Sequence, residues 1–125
     1  MVWLLVGAGG ALGSMARHGL NHLIHQRALG STFPTGIFVI NVLGSAIIGI
    51  VAGAFAGGRV PISPSMRTFV VVGFLGGFTT FSSFSLDTFT LIRAGHLGKA
   101  VWNVVGQVSL SLVAVMIGYR VGSAI

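Results

Sequence analysis

The chain has 125 residues, of which 54% are hydrophobic and only 6% are charged. Soluble domains have about a quarter of their residues charged, so this composition excludes a soluble globular protein and indicates an integral membrane protein. The formal charge of +6 comes from basic residues scattered at the ends of apolar runs, which favours contact with lipid headgroups over nucleic acid. The absence of cysteine excludes disulfides and thiolate metal sites.

Four apolar runs of spanning length follow one another, at about residues 2–25, 35–56, 65–93 and 99–119. Because one span takes about 20 residues, four spans leave no room for a soluble domain. We therefore predict an all-α integral membrane protein, a single transmembrane domain over residues 1–125 with four transmembrane helices. The first run lacks the basic region of a secretory signal, and we expect it to be retained as a span.

Glycines at intervals of four mark the first two runs, a spacing that lets membrane helices approach closely. They are Gly9 and Gly13 in the first run, and Gly49, Gly53 and Gly57 around the end of the second. His18, His22 and His25 share one helical face in a spacing that would suit a metal, but no acid or cysteine accompanies them. The interfacial end of a span is the alternative setting for these histidines.

The third run is interrupted by glycines, and hydroxyl side chains then alternate with phenylalanines, in the sequence Gly73-Phe-Leu-Gly-Gly-Phe-Thr-Thr-Phe-Ser-Ser-Phe-Ser85. Non-helical backbone survives at membrane depth only where protein shields it or where it lines a cavity. The run is also too long for one straight crossing unless it tilts or breaks. We expect a break in the Gly76-Gly77 region, beside a polar path.

The basic residues give no clear orientation. An even number of spans puts both termini on one side of the membrane, and the two sides carry nearly equal basic sets. These sets are Arg59, Arg67 and Arg120 on one side, and Arg27, Arg93 and Lys99 on the other, with Arg17 inside the end of the first span. Because the positive-inside rule gives no preference here, the chain could insert both ways, and two copies could assemble antiparallel.

The stretch from Gly73 to Ser85 closely resembles the signature of the Fluc (CrcB) family of small membrane fluoride channels. The resemblance extends to Gly9–Arg17 and to Pro34-Thr-Gly-Ile-Phe-Val-Ile-Asn-Val-Leu-Gly-Ser45, and so covers nearly the whole chain. It implies a passive fluoride channel that lets cytoplasmic fluoride leave across a prokaryotic plasma membrane without an energy source. It also implies an antiparallel dual-topology homodimer with two pores.

Fluoride is tightly hydrated, so a selective path must replace water with hydroxyl or amide donors, aromatic ring edges or helix N-termini. Phe81 and Phe84 are three residues apart and share a helical face, while Ser82, Ser83 and Ser85 supply donors between and beyond them. Lipid-facing or core packing is the alternative role for the two rings. The resemblance implies that they line the pore, as do paired phenylalanines of the family. For Phe78 we expect packing.

Polar side chains within the second and fourth spans are further candidates. Asn41 could join helices through hydrogen bonds worth about 1 kcal/mol each, whereas the resemblance implies a pore-lining donor. Asn103, Gln107 and Ser111 recur every four residues and form a polar stripe on one helical face. An ion-exposed stripe explains them, and so does hydrogen bonding to the third span. Family members tend to carry hydroxyl residues here, so Gln107 departs from the pattern.

Asp87 is the only acid in the chain, and a lone intramembrane acid is a functional candidate. It could serve as a gate or track residue, as a partner for Arg17, or as a proton carrier. Arg17 is expected at a vestibule or at the headgroups. Carbonyls freed at a helix break are hard oxygen ligands that suit sodium, although an ordered water fits them as well. The resemblance implies one structural sodium ion at the dimer centre, held by the backbone carbonyls of Gly76 and Thr79 from both subunits.

Two other functions compete with a channel. A small dual-topology multidrug exporter driven by protons would need an acid in its first span, and this first span has none. A non-transporting assembly subunit is favoured by the glycine spacing and disfavoured by the hydroxyl-phenylalanine stretch. Because the sequence contains neither a Ser-His-Asp constellation nor a carboxylate pair, we do not expect an enzyme.

Overall fold

The structure is a computed structural model that describes residues 1–58 and 60–125, so that Arg59 of the charge count lies outside the described residues. All of its regular elements are helices. They are α1 (Val2–Arg27), α2 (Thr35–Ala56), a third helix (Pro64–Arg93) built from several segments, and α6 (Leu97–Ala124). The segments of the third helix are α3 (Pro64–Arg67), a π-helix (Thr68–Leu75), α4 (Gly76–Phe78) and α5 (Phe81–Arg93).

Three helices in the described part of the chain are long and apolar enough to cross a membrane: α2, the third helix and α6. The first helix, α1, has 26 residues and is also long enough. It is less apolar than the others because its second half carries Arg17 and three histidines. The prediction of an all-helical fold with four long helices and a broken third helix is confirmed.

Glycines let the helices pack in two close pairs. In the pair formed by α1 and the third helix, a Cβ at Gly9 would lie 2.9 Å from the Cα of Gly73. In the pair formed by α2 and α6, a Cβ at Gly53 would clash with the carbonyl oxygen of Tyr119. Since any side chain at these positions would push the helices apart, the glycine spacing serves helix packing, as expected.

The break in the third helix lies just after the two glycines, at Thr79 and Thr80, within a few residues of the expected Gly76-Gly77 region. The helix continues through both glycines to Phe78, and Gly77 packs so closely on α1 that its Cβ would be 3.0 Å from the Cα of Gly10. The extended residues are Thr79 (φ −85°, ψ 158°) and Thr80 (φ −153°, ψ 121°). The glycines are therefore needed for contact, and the β-branched threonines, which suit extended backbone, form the break.

Two helices extend beyond their expected ends. The first helix continues past residue 25 to Arg27, and α6 continues past residue 119 to Ala124. The last turn of α6 packs on α2, where a Cβ at Gly122 would clash with the carbonyl oxygen of Ile50. This contact explains why the apolar helix continues beyond Arg120.

Candidate functional site

Hydroxyl groups gather at the break, where α5 begins. Thr80 caps this helix, because its Oγ1 accepts a hydrogen bond from the backbone N–H of Ser83 at 3.2 Å. Its hydroxyl also lies 3.2 Å from the hydroxyl oxygens of both Ser82 and Ser83. A helix N-terminus carries a partial positive charge, so the hydroxyl cluster lies at a place that favours an anion.

Asn41 on α2 binds both backbone groups of Thr80. The N–H of Thr80 donates to Oδ1 of Asn41 at 2.9 Å, and Nδ2 of Asn41 donates to the carbonyl oxygen of Thr80 at 3.0 Å. In an uninterrupted helix that N–H would bond to the carbonyl of Gly76. The amide therefore replaces the helical hydrogen bond that is lost at the break, which satisfies a backbone N–H that an interrupted membrane helix would leave unpaired.

The polar stripe of α6 is buried and hydrogen-bonded. Asn103 is 0% exposed and Gln107 is 4% exposed. Nδ2 of Asn103 donates to Oγ1 of Thr88 at 2.9 Å, which joins α6 to the third helix. Gln107 donates through Nε2 to Oδ1 of Asn103 at 3.1 Å and accepts from Nδ2 of Asn41 through Oε1. Of the two explanations offered for the stripe, hydrogen bonding to the third helix applies to Asn103.

A cavity of about 480 Å³ lies against the break. Three helices form its wall, and the mixture of apolar and polar side chains is typical of a ligand-binding cavity. Its predicted site residues are Asn41, Gly76, Thr79, Phe81, Phe84, Gln107 and Ser111, and its other lining residues are Gly44, Ser45, Ile48, Val71, Leu75, Thr80, Val108 and Leu112. Residues from three separate sequence regions thus meet at one place.

The two phenylalanines of α5 line this cavity as a pair. Their ring centroids are 5.4 Å apart and the ring planes are inclined by 47°, an arrangement that turns a ring edge toward its neighbour. The ring of Phe84 is 9% exposed, whereas Phe81 is 78% exposed. Phe78, by contrast, is buried away from the cavity and stacks on Phe74 with centroids 6.0 Å apart, as expected for a packing residue.

Arg17 contacts the break from the side of α1. Its Nη1 donates to the carbonyl oxygen of Thr79 at 3.3 Å. The suggested pairing of Arg17 with Asp87 is not found, because α1 brings the guanidinium to the break while Asp87 lies farther along α5. The positive charge of Arg17 therefore lies beside one of the two carbonyls considered as sodium ligands.

Asp87 and Ser85 lie apart from the main cavity. Asp87 lines a second cavity of about 230 Å³, together with Asn21 and His25 of α1 and the start of α2. Its Oδ2 is shielded and has no hydrogen-bond partner among the described residues. The hydroxyl of Ser85 donates to the carbonyl of Phe81 one turn earlier, at 2.9 Å. Within residues 1–58 and 60–125, no group of three His, Asp or Glu side chains could hold a metal.

Sequence reasoning missed the role of Thr80. A threonine three residues before Ser83, at the start of a new helical run, is the pattern of an N-cap, and this signal was available. The pairing of Thr80 with Asn41 was not, because 39 residues separate them and each amide has many possible partners.

Comparison with known proteins identifies the family. Residues 4–119 match the family described as "CrcB-like protein, Camphor Resistance (CrcB)". The "Fluoride-specific ion channel FluC" of Opitutus terrae is 50% identical to the chain, over 94% of this chain and 89% of that protein. The proteins of the same name from Thermus thermophilus and Rhodopseudomonas palustris are each 44% identical, over 98% and 100% of this chain and 96% and 99% of their own lengths.

The match covers nearly the full length of both partners in each comparison. The relatives are named as ion channels, which confirms the expectations of a multi-pass membrane protein and of a protein that is not an enzyme. Together with the broken third helix and the cavity beside it, the match shows that this chain belongs to the CrcB family.

Proposed function

We propose that this protein is a fluoride-selective passive ion channel that lowers cytoplasmic fluoride by letting it leave across the plasma membrane of a prokaryotic cell. The observation that carries the proposal is the cavity at the break, which joins the paired rings of Phe81 and Phe84 to hydroxyl and amide groups. A dehydrated anion needs such donors and ring edges. The relatives, named as fluoride-specific ion channels, supply the same conclusion independently.

The residues proposed for the pathway differ in what they offer an anion. Phe81, Phe84 and Ser111 line the cavity directly, and Ser82 and Ser83 lie at the hydroxyl cluster of Thr80. The two N–H groups of the Asn41 amide already bind Thr80 and Gln107, so an anion at Asn41 would replace one of these acceptors. Arg17, Ser85 and Asp87 lie outside the main cavity and are proposed as residues of its approaches.

An antiparallel homodimer in the lipid bilayer is the proposed assembly. Gly76 is exposed in the single chain, and the N–H that would bond to its carbonyl is taken by Asn41. A free carbonyl at membrane depth needs cover from protein or contact with a cavity, and Gly76 lines the cavity at the break. A second copy would close this cavity against lipid and would enclose the exposed ring of Phe81. The balanced basic residues favour an inverted second copy.

A structural sodium ion at the dimer centre fits part of the site. The carbonyl of Gly76 has lost the N–H of Thr80, and a hard carbonyl oxygen of this kind suits sodium. The carbonyl of Thr79 is shared with Arg17, whose charge opposes a cation beside it. We propose that Gly76 and Thr79 from both subunits hold the ion, for which Arg17 has to release the carbonyl of Thr79. Exchange of sodium for a large organic cation is expected to weaken assembly and flux.

Electrical recording across a planar bilayer that contains only the purified protein tests the function. A passive channel gives a fluoride current without any proton gradient, and its reversal potential follows the fluoride gradient. A proton-driven exporter would need the proton gradient, and an assembly subunit would give no current. Either of these two results would contradict the proposal.

A further inference from the structure

Hydrogen bonds run without interruption from the break in the third helix through α2 and α6 and back to α5. Starting at Thr80, they pass through Asn41, Gln107 and Asn103 and end at Thr88. Buried amides in an apolar surrounding are costly unless they are bonded. Each of these three amides accepts a hydrogen bond from the preceding group through its oxygen and donates one to the following group through its nitrogen.

The backbone of Thr80 determines which end of each amide donates and which end accepts. The N–H of Thr80 can only donate, so Asn41 must turn its oxygen toward it and its NH₂ group toward the carbonyl of Thr80 and toward Gln107. Gln107 then has to present its oxygen to Asn41.

These donor and acceptor roles are also consistent at the other end. Because the oxygen of Gln107 faces Asn41, its NH₂ group faces the oxygen of Asn103, and Asn103 in turn donates to the hydroxyl of Thr88. That hydroxyl donates to the carbonyl of Phe84 at 2.8 Å, which can only accept. The two backbone groups at the ends thus agree on a single orientation for all three amides.

From this arrangement we infer that Gln107 is a positioning residue: its side-chain oxygen holds the amide of Asn41 in the orientation that binds Thr80 and keeps the break in place. Gln107 acts on the ion path through Asn41, without donating to the anion itself. Thr80 and Phe81, which lie at the break, line the cavity proposed as the ion path. The expected effect of Gln107 on flux therefore rests on the proposed function. Its effect on the break does not depend on transport.

Two substitutions at one position separate this role from packing and from ligand binding. Gln107→Met keeps the length of the side chain and removes the oxygen. Gln107→Glu keeps an oxygen for Asn41; Asn103 then turns its amide over, and the hydroxyl of Thr88 donates to Asn103 in place of the carbonyl of Phe84. A direct fluoride donor would be lost in both variants, because neither retains the NH₂ group. Ser109→Ala, on the exposed part of α6, is the control for a substitution in the same helix that leaves these hydrogen bonds in place.

The experiment is amide hydrogen exchange at Thr80 in the purified, assembled protein, read by NMR or by mass spectrometry of the peptide that contains it. Loss of one supporting hydrogen bond is expected to speed exchange at Thr80 by about tenfold in Gln107→Met. In Gln107→Glu and Ser109→Ala the exchange is expected to remain at the wild-type rate. Unchanged exchange in Gln107→Met, or equal acceleration in Gln107→Met and Gln107→Glu, would overturn the inference.

Fluoride flux supplies a second, coupled test. If Gln107 acts through Asn41, then Gln107→Met lowers flux per assembled protein in the wild type and lowers it no further in an Asn41→Leu background. Independent effects that multiply in the double variant would overturn the positioning role. If the wild-type protein proved not to carry fluoride, the proposed function would fail, while the exchange measurement would still decide the role of Gln107.

Discussion

Asn41 pairs with Thr80 through two hydrogen bonds, of 2.9 and 3.0 Å, that use both ends of its side-chain amide and both backbone groups of the threonine. This pairing is what allows a membrane helix to contain two extended residues. Without it, the N–H of Thr80 would lose its partner at membrane depth, whereas the carbonyl, at the N-cap of α5, would keep the first hydrogen bond of that helix. The break is therefore built by α2 as much as by the third helix itself.

Replacement of Asn41 tests this relationship. In Asn41→Leu the N–H and the carbonyl of Thr80 lose their side-chain partner, which is expected to destabilise the fold by about 1–3 kcal/mol. Asn41→Asp keeps an oxygen for the N–H but turns a second oxygen toward the acceptor oxygens of Thr80 and Gln107, so it is expected to destabilise the fold as well. Unfolding in a denaturant series in detergent measures both. Equal stability of Asn41→Leu and the wild type would contradict the role of Asn41 at the break.

Substitutions at two neighbouring glycines, Gly76 and Gly77, test the proposed contact between copies at the dimer centre. A Cβ at Gly76 would come no closer than 3.9 Å to the carbonyl oxygen of Val71, whereas one at Gly77 would lie 2.5 Å from the carbonyl oxygen of Gly10 in the same chain. Gly77→Leu is therefore expected to prevent folding of the single chain. Gly76→Leu is expected to leave the chain folded, because its Cβ has no close neighbour, and to abolish dimers and flux, because the proposed second copy would meet the added side chain.

Cross-linking in detergent and fluoride flux measure the outcome at Gly76. If Gly76→Leu kept the dimer and wild-type flux, the proposed contact between copies and the central sodium site would both be wrong. Gly98, whose Cβ would meet nothing within 4 Å, gives a matched control through Gly98→Leu, which is expected to change neither assembly nor flux.

Labelling of single cysteines tests the two orientations. The chain contains no cysteine of its own, so Ser65→Cys and Gly98→Cys can each be read without background. Ser65 is exposed and is preferable to Ser63, whose hydroxyl accepts the N–H of Met66 at the start of α3. Each cysteine is expected to react with a membrane-impermeant reagent from both sides. Labelling of each cysteine from one side only would exclude an antiparallel dimer.

The ring pair is tested by replacing each phenylalanine with isoleucine, which keeps apolar bulk and removes the ring edge. Phe81→Ile and Phe84→Ile are each expected to lower fluoride flux per assembled dimer by roughly tenfold, corresponding to about 1.4 kcal/mol. Phe78→Ile is expected to lower stability instead, because that ring is buried against Phe74. Wild-type flux per dimer in both Phe81→Ile and Phe84→Ile would leave the hydroxyl and amide groups as the only candidates.

The sequence predicted the features that depend on local composition. Apolar runs predicted the four long helices, and glycine spacing predicted the close contacts at Gly9 and Gly53. The hydroxyl-phenylalanine stretch predicted a broken helix, and the break lies at Thr79 and Thr80, just after the glycines near which it was expected. Glycine can both break a helix and let two helices touch, and the sequence does not distinguish these uses.

The contacts between distant residues could not be predicted in the same way. Asn41 and Gln107 are 66 positions apart, and their pairing depends on how α2 and α6 are rotated against each other. The stripe of Asn103, Gln107 and Ser111 was visible in the sequence, whereas the partner of each amide was set by tertiary packing. The position of Arg17 at Thr79, and not at Asp87, was set in the same way.

The proposed channel activity is tested most directly by fluoride efflux from liposomes that contain only this protein, started by valinomycin so that potassium leaves with the anion. Matched liposomes loaded with chloride, and liposomes without protein, are the controls. A passive fluoride channel gives rapid fluoride efflux that needs no proton gradient, with chloride retained. Fluoride efflux no faster than from protein-free liposomes, or chloride efflux at the same rate as fluoride, would contradict this activity.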